Sequence, residues 1–208
     1  MKDASTKAGG ALLGVLIFAA GAFQPVAARA QESTFLSGSS GPTVDDYLKE
    51  AGPQAKLIGR GELKIDGKTV SCGKRPTVLN PSFDSWGGAF PGFVILNTKK
   101  VTGLSTAVKL YIYSHECGHQ FEGPDEIKAD LFAIRRGVKW GWLDAVGMED
   151  ICTFISTLKG DAVHPPGPQR CETMRKYYNE LIESGTSQSV SAPAQPSSKA
   201  KAQALAPQ

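Results

Sequence analysis

The sequence predicts an α+β domain in which a small N-terminal β-sheet packs on a helical core. Three observations carry this. Short β-prone runs fall before residue 98, and helical apolar spacing dominates after residue 105. Asp66-Gly67, flanked by Leu63-Lys64-Ile65 and Thr69-Val70-Ser71, is the strongest hairpin signal in the chain.

The elements follow in order. Thr43-Val44-Asp45-Asp46 is a capped helix start, and Gly52-Pro53 ends that helix. The Asp66-Gly67 hairpin comes next, then a strand at Pro76 to Asn80. Gly92-Phe93-Val94-Ile95-Leu96-Asn97 is a compact apolar run and reads as a strand. Ahead of it, Trp86-Gly87-Gly88-Ala89-Phe90-Pro91 reads as a mobile rim. Ser105 to His119 forms a helix with Val108, Ile112 and Leu110 on its apolar stripe. Gly123-Pro124 breaks the chain. Asp125 to Arg136 resumes as a helix, with Ile127, Leu131, Ile134 and Val138 at helical spacing. Two more helices fit Asp144 to Leu158 and Pro168 to Ile182. Trp140 and Trp142 read as helix-packing residues.

The chain has 208 residues and a net charge of +3, which provides no concentrated basic face for nucleic acid. Residues 1–30 read as a signal peptide: Lys2 and Lys7, an apolar stretch from Ala11 to Phe23, and the small-residue site Ala28-Arg29-Ala30. Its apolar stretch is too short to span a bilayer. The mature protein is therefore expected to be soluble, and periplasmic or secreted. Residues 31–42 read as a linker, 43–183 as one domain, and the Ser/Ala/Pro-rich 184–208 as a disordered tail.

Export makes the four cysteines candidates for disulfides. Three connectivities are open. Cys152–Cys171 is favoured because both should lie on helices flanking one turn, which leaves Cys72–Cys117.

All three histidines lie between residues 115 and 164. His115-Glu116-Cys117-Gly118-His119 is an H-E-x-x-H motif. On a helix, residues four apart share a face, so two imidazoles can ligate one tetrahedral Zn²⁺. Glu116 can reach a water on that metal without being a ligand, as a general base. Cys117 should point away into packing or a disulfide. A catalytic site needs a third protein ligand, and Glu122, Asp125, Glu126, Asp130 and His164 are the candidates. Asp125 lies where metzincins place theirs, but the glycine of that pattern is displaced to Gly123. Glu126 and Asp130 sit four apart on the next helix. Glu126 is favoured as ligand, with Asp130 accepting the Nδ1–H of a ligand histidine.

Glu126-Ile127-Lys128-Ala129-Asp130 resembles the E-x-x-A-D element of gluzincin metallopeptidases of the HtpX and CAAX-prenyl-protease type. His164-Pro165-Pro166-Gly167-Pro168-Gln169-Arg170 resembles their later H-P-x-x-x-x-R element. The resemblance implies that Glu126 is the third ligand, that Asp130 supports a histidine, and that His164 or Arg170 holds substrate or the developing oxyanion. It spans Tyr111 to Arg170. It departs from the family in the short Gln120 to Asp125 connection and in lacking transmembrane helices.

The expected activity is that of an exported zinc endopeptidase. Its peptide or protein substrate would pair along the strand Gly92 to Asn97, taken as a sheet edge. Two alternatives are a cell-wall peptide amidase using the same site, and a non-catalytic periplasmic binding or assembly protein in which His164 closes the metal site as a fourth ligand.

Overall fold

The computed structural model describes residues 41–191. The signal-peptide segment and almost all of the linker lie outside them, as does the tail beyond Ser191. Elements run α1 (Val44–Ala51), β1 (Lys56–Ile58), β2 (Lys64–Ile65), β3 (Lys68–Thr69), β4 (Thr77–Leu79), β5 (Gly87–Phe90), β6 (Phe93–Leu96), α2 (Thr106–Glu122), α3 (Glu126–Lys139), α4 (Ala145–Ile155) and α5 (Gly167–Ser191). This is the α+β class expected from the sequence, with the sheet at the front and the helices behind.

The main sheet has the order β1-β4-β6-β5. β4 and β6 are parallel, and the two outer pairings are antiparallel. β6 is buried along its whole length because both faces are covered. Phe93 and Ile95 join Val78 against α1, on the side of Val44, Tyr47 and Leu48. Val94 and Leu96 turn to the opposite face and enter the helical core. An unbroken apolar run is what a central, doubly covered strand requires.

This corrects the expectation for Gly92 to Asn97. The strand exists, but β4 and β5 occupy both of its edges, so no substrate can pair with it. The edge strands are β1 and β5; β5 lies in the segment read as a mobile rim, and Gly87, Gly88 and Ala89 in it are buried. Gly87 and Gly88 have low strand propensity, which hides β5 in the sequence. Pairing supplies what propensity lacks: Asn97 N–H donates to the Trp86 carbonyl at 2.9 Å, and register alternates from there. The Leu96 carbonyl instead accepts from Asn80 on the β4 side. Gly87, opposite Leu96, and Ala89, opposite Val94, therefore direct their backbone N–H and C=O groups away from β6.

The hairpin β2–β3 turns at Asp66 and Gly67, both with positive φ (46° and 81°), as a two-residue Asp-Gly turn demands. Asp66 then accepts from Thr106 Oγ1 at 2.8 Å and pairs with Lys109 at 2.9 Å, fastening the hairpin tip to the first turn of α2.

α2 is the central helix. Ser105 caps it, and from Leu110 to His115 every residue is buried. Two disulfides hold it in place relative to its neighbours or brace the helices behind it: Cys72–Cys117 and Cys152–Cys171, the favoured pairing. α5 extends to Ser191, so the first residues of the presumed tail are helical. Trp142 packs on the core, but Trp140 is 51% exposed, contrary to the packing role expected of it. The Arg136 guanidinium covers its ring at 3.9 Å. Among the described residues, no helix is long and apolar enough to cross a membrane.

Candidate metal centre

The site is built by the α2–α3 helical hairpin. Gly118 lets the two helices touch: a Cβ there would lie 3.0 Å from both the Cα and the carbonyl oxygen of Ala129. Gly123, at φ 76°, turns the chain, and the Asp125 side chain caps α3 by accepting from Lys128 N–H. That turn returns Glu126 over the two histidines. One donor atom from each of His115, His119 and Glu126 falls within 4.8 Å of the others, a group that could hold a metal ion.

The donors are aimed by their neighbours. The His115 Nδ1 lies 2.8 Å from Asp130 Oδ1, and the His119 Nδ1 lies 2.8 Å from the Gly123 carbonyl. Both acceptors require Nδ1–H, which leaves Nε2 of each ring as the lone-pair nitrogen. The two Nε2 atoms face each other at 3.1 Å. Glu126 carboxylate oxygens lie 3.2 Å from the His115 Nε2 and 3.4 Å from the His119 Nε2. Two lone pairs and a carboxylate converging at that range need a cation between them. The residues fit a divalent metal of the kind that imidazole and carboxylate select.

Without a metal, a proton takes that place. Burial opposes a charged His115, but hydrogen bonds to Asp130 and Glu126 outweigh it and push its pKa up to about 10. Burial likewise opposes ionisation of Glu126, yet the His115 and His119 rings against it hold its carboxyl well below the usual carboxylate range.

Asp130 is buried at 1% exposure and accepts from four donors. They are the His115 ring, the Tyr111 hydroxyl at 2.6 Å, Arg170 Nε at 2.8 Å and Arg170 Nη2 at 2.7 Å. Burial raises its pKa, but the Arg170 and His115 hydrogen bonds lower it further, so the carboxylate stays charged. Asp130 thus lies where the sequence placed it, against the Nδ1 of His115.

Arg170 does not perform the role expected of it. Its guanidinium is 5% exposed and spent on Asp130, with a further contact to Glu126 at 3.4 Å. A buried carboxylate demands a paired cation, and that need holds Arg170 inside.

His164 does reach the site. Its Nε2 lies 3.5 Å from Glu126 Oε1, while Nδ1 faces both oxygens of Asp161 at 2.8 and 2.9 Å. Asp161 also accepts the backbone N–H of Val163 and His164, which fixes the loop. The other candidates for third ligand are elsewhere: Asp125 is a helix cap, and Glu122 pairs with Arg135 at 3.3 Å.

Glu116 is half-buried under the first residue of β5. Burial pushes its carboxyl up from the usual range, against the pull of His115 and His119. Cys117 points away from the metal donors into its disulfide with Cys72, as the helical phase requires.

Sequence reasoning missed Tyr111 and Asp161. Tyr111 sits one helical turn before His115, a signal that was available. Asp161 lies in an irregular loop, and nothing local announces its bond to His164. No known family, curated protein or solved structure matches the chain.

Proposed function

We propose that the chain is an exported zinc-dependent metallopeptidase. The observation that carries this is the convergence of two tautomer-fixed imidazoles and one carboxylate, with a second, non-ligating carboxylate, Glu116, against the edge strand β5. A structural metal site has no use for that extra acid. One carboxylate and two neutral imidazoles leave a divalent ion at +1, which favours both water ionisation and an adjacent oxyanion. Zinc, when bound, supplies a Lewis acid that polarises a carbonyl and acidifies water.

The chain's own residues supply the rest. An extended peptide pairs with the N–H and C=O groups of Gly87 and Ala89 that point away from β6, which gives affinity with little sequence preference. Glu116 takes a proton from the attacking water and passes it to the leaving amine. Its raised pKa suits a group that must both accept and release a proton. His164, oriented by Asp161, offers Nε2 to a developing oxyanion at the rim. Two buried disulfides fit the oxidising compartment that the signal-peptide reading requires.

Metal content of the purified mature protein tests the site first. One zinc per chain is expected, and His119→Ala should remove it. Glu116→Gln should retain zinc and lose at least a hundredfold in peptide hydrolysis. Casein and purified cell-wall peptides, assayed side by side, separate endopeptidase from amidase action.

The second reading, a non-catalytic metal-holding protein, rests on the position of His164, close enough to Glu126 to close a fourth coordination position. If Glu116→Gln behaves like the parent in every assay while His164→Ala sheds zinc, that reading replaces the first.

A further inference from the structure

Gly87 is the first residue of β5, and its environment is unusual. A Cβ built there would lie 2.7 Å from Glu116 Cγ, 3.2 Å from Cδ and 3.0 Å from Oε1. Three consecutive atoms of one side chain occupy the space that any other residue at position 87 would need. The backbone does not ask for glycine, since Gly87 lacks the positive φ of the turn glycines. The three nearest atoms all belong to Glu116.

The N–H and C=O of the same residue point away from β6 on an edge strand, the residue itself is buried, and the place of its missing side chain is filled from α2. The carboxylate of Glu116 is therefore confined within one residue of the edge, next to the metal donors His115 and His119 that flank it on α2.

We propose that Gly87 is a positioning residue for Glu116: by lacking a side chain, it seats the base between the metal donors and the strand edge. This rests on the peptidase reading for its consequence, but not for its geometry. A methyl group at position 87 meets a flexible glutamate before it meets backbone, so Glu116 yields and the sheet stays.

The test uses the mature, zinc-loaded protein and the variants Gly87→Ala and Gly87→Ser. Both should keep one zinc per chain and melt within a few degrees of the parent. Peptide-hydrolysis kcat should fall at least tenfold, with KM changing less than threefold. Glu116→Asp, one methylene shorter, no longer fills the space, so in that background Gly87→Ala should cost less than threefold. Crystal structures of the parent and Gly87→Ala give a readout independent of activity. The Glu116 carboxylate should move by more than 1 Å (about the size of the overlap removed), with His115, His119 and β5 in place.

Parental kcat in Gly87→Ala, an equal loss in the Glu116→Asp background, or an unmoved carboxylate would each overturn the proposal. A zinc-loaded parent that hydrolyses no peptide defeats the peptidase reading, and the crystal comparison then decides the positioning role by itself.

Discussion

At the scale of single residues, His115 links the site to pH. In the metal-free protein it holds a proton with a pKa of about 10, well above its ordinary value of 6.5. Metal and proton compete for the same Nε2 lone pair. Zinc affinity should therefore rise about tenfold per pH unit below pH 10 for each proton displaced. Calorimetry in buffers of different ionisation enthalpy should detect about one proton released per zinc bound at pH 7. The sign for folding follows. A raised pKa stabilises the metal-free fold fully below 6.5, and that stabilisation fades as pH climbs towards 10. The zinc-loaded protein should not share this alkaline loss, which thermal melts at pH 6 and pH 10 would check. His115, His119, Glu126 and Asp130 were all legible in the sequence, because helical spacing alone dictates which side chains share a face. The fate of Arg170 was not legible. Whether an arginine meets substrate or a buried acid depends on the depth of Asp130, and depth is a tertiary property.

At the scale of elements, the α2–α3 contact decides whether the donors converge. Gly118 is half of that contact and Ala129 the other half. Unlike the clash at Gly87, a methyl at Gly118 meets backbone, which cannot rotate away. Gly118→Ala should separate the helices by a few tenths of an ångström or more, and zinc affinity should fall by at least tenfold. A chelator competition assay measures this, and an unchanged affinity would show that the helices can part without moving Glu126. The helices themselves were legible through caps and breakers, as Gly123-Pro124 illustrates. Two strands were not. Glycine-rich β5 carries no β propensity, and β1, with exposed Lys56 and Leu57, has no alternation to read. Assigning the edge to Gly92 to Asn97 failed for a physical reason: a run buried on both faces belongs inside a sheet.

At the scale of the whole molecule, the disulfides carry unequal burdens. Cys72–Cys117 closes 45 residues and Cys152–Cys171 closes 19. Chain entropy assigns them roughly 4 and roughly 3 kcal/mol. Cys72–Cys117 also ties the motif helix to the strands in front, whereas Cys152–Cys171 joins α4 to α5 behind the site. Replacing both residues of Cys72–Cys117 by serine should lower the melting temperature and weaken zinc binding. The same change at Cys152–Cys171 loosens the loop that carries His164 and Arg170 but none of the three converging donors, so it should lower the melting temperature and weaken zinc binding by a smaller factor. Equal zinc affinity in the two variants would mean that the front cross-link does not steady α2. All four cysteines are buried, so reductant should act slowly on the native protein and quickly once denaturant opens it.

The short connection after the second histidine has one more consequence. All three chelating side chains lie within one contiguous stretch, from His115 to Glu126, and the bend joining them lends its own carbonyl to His119. No distant part of the polypeptide must arrive before an ion is captured. A metal held there would need only the α2–α3 pair to close, so its binding would be coupled to the folding of that pair.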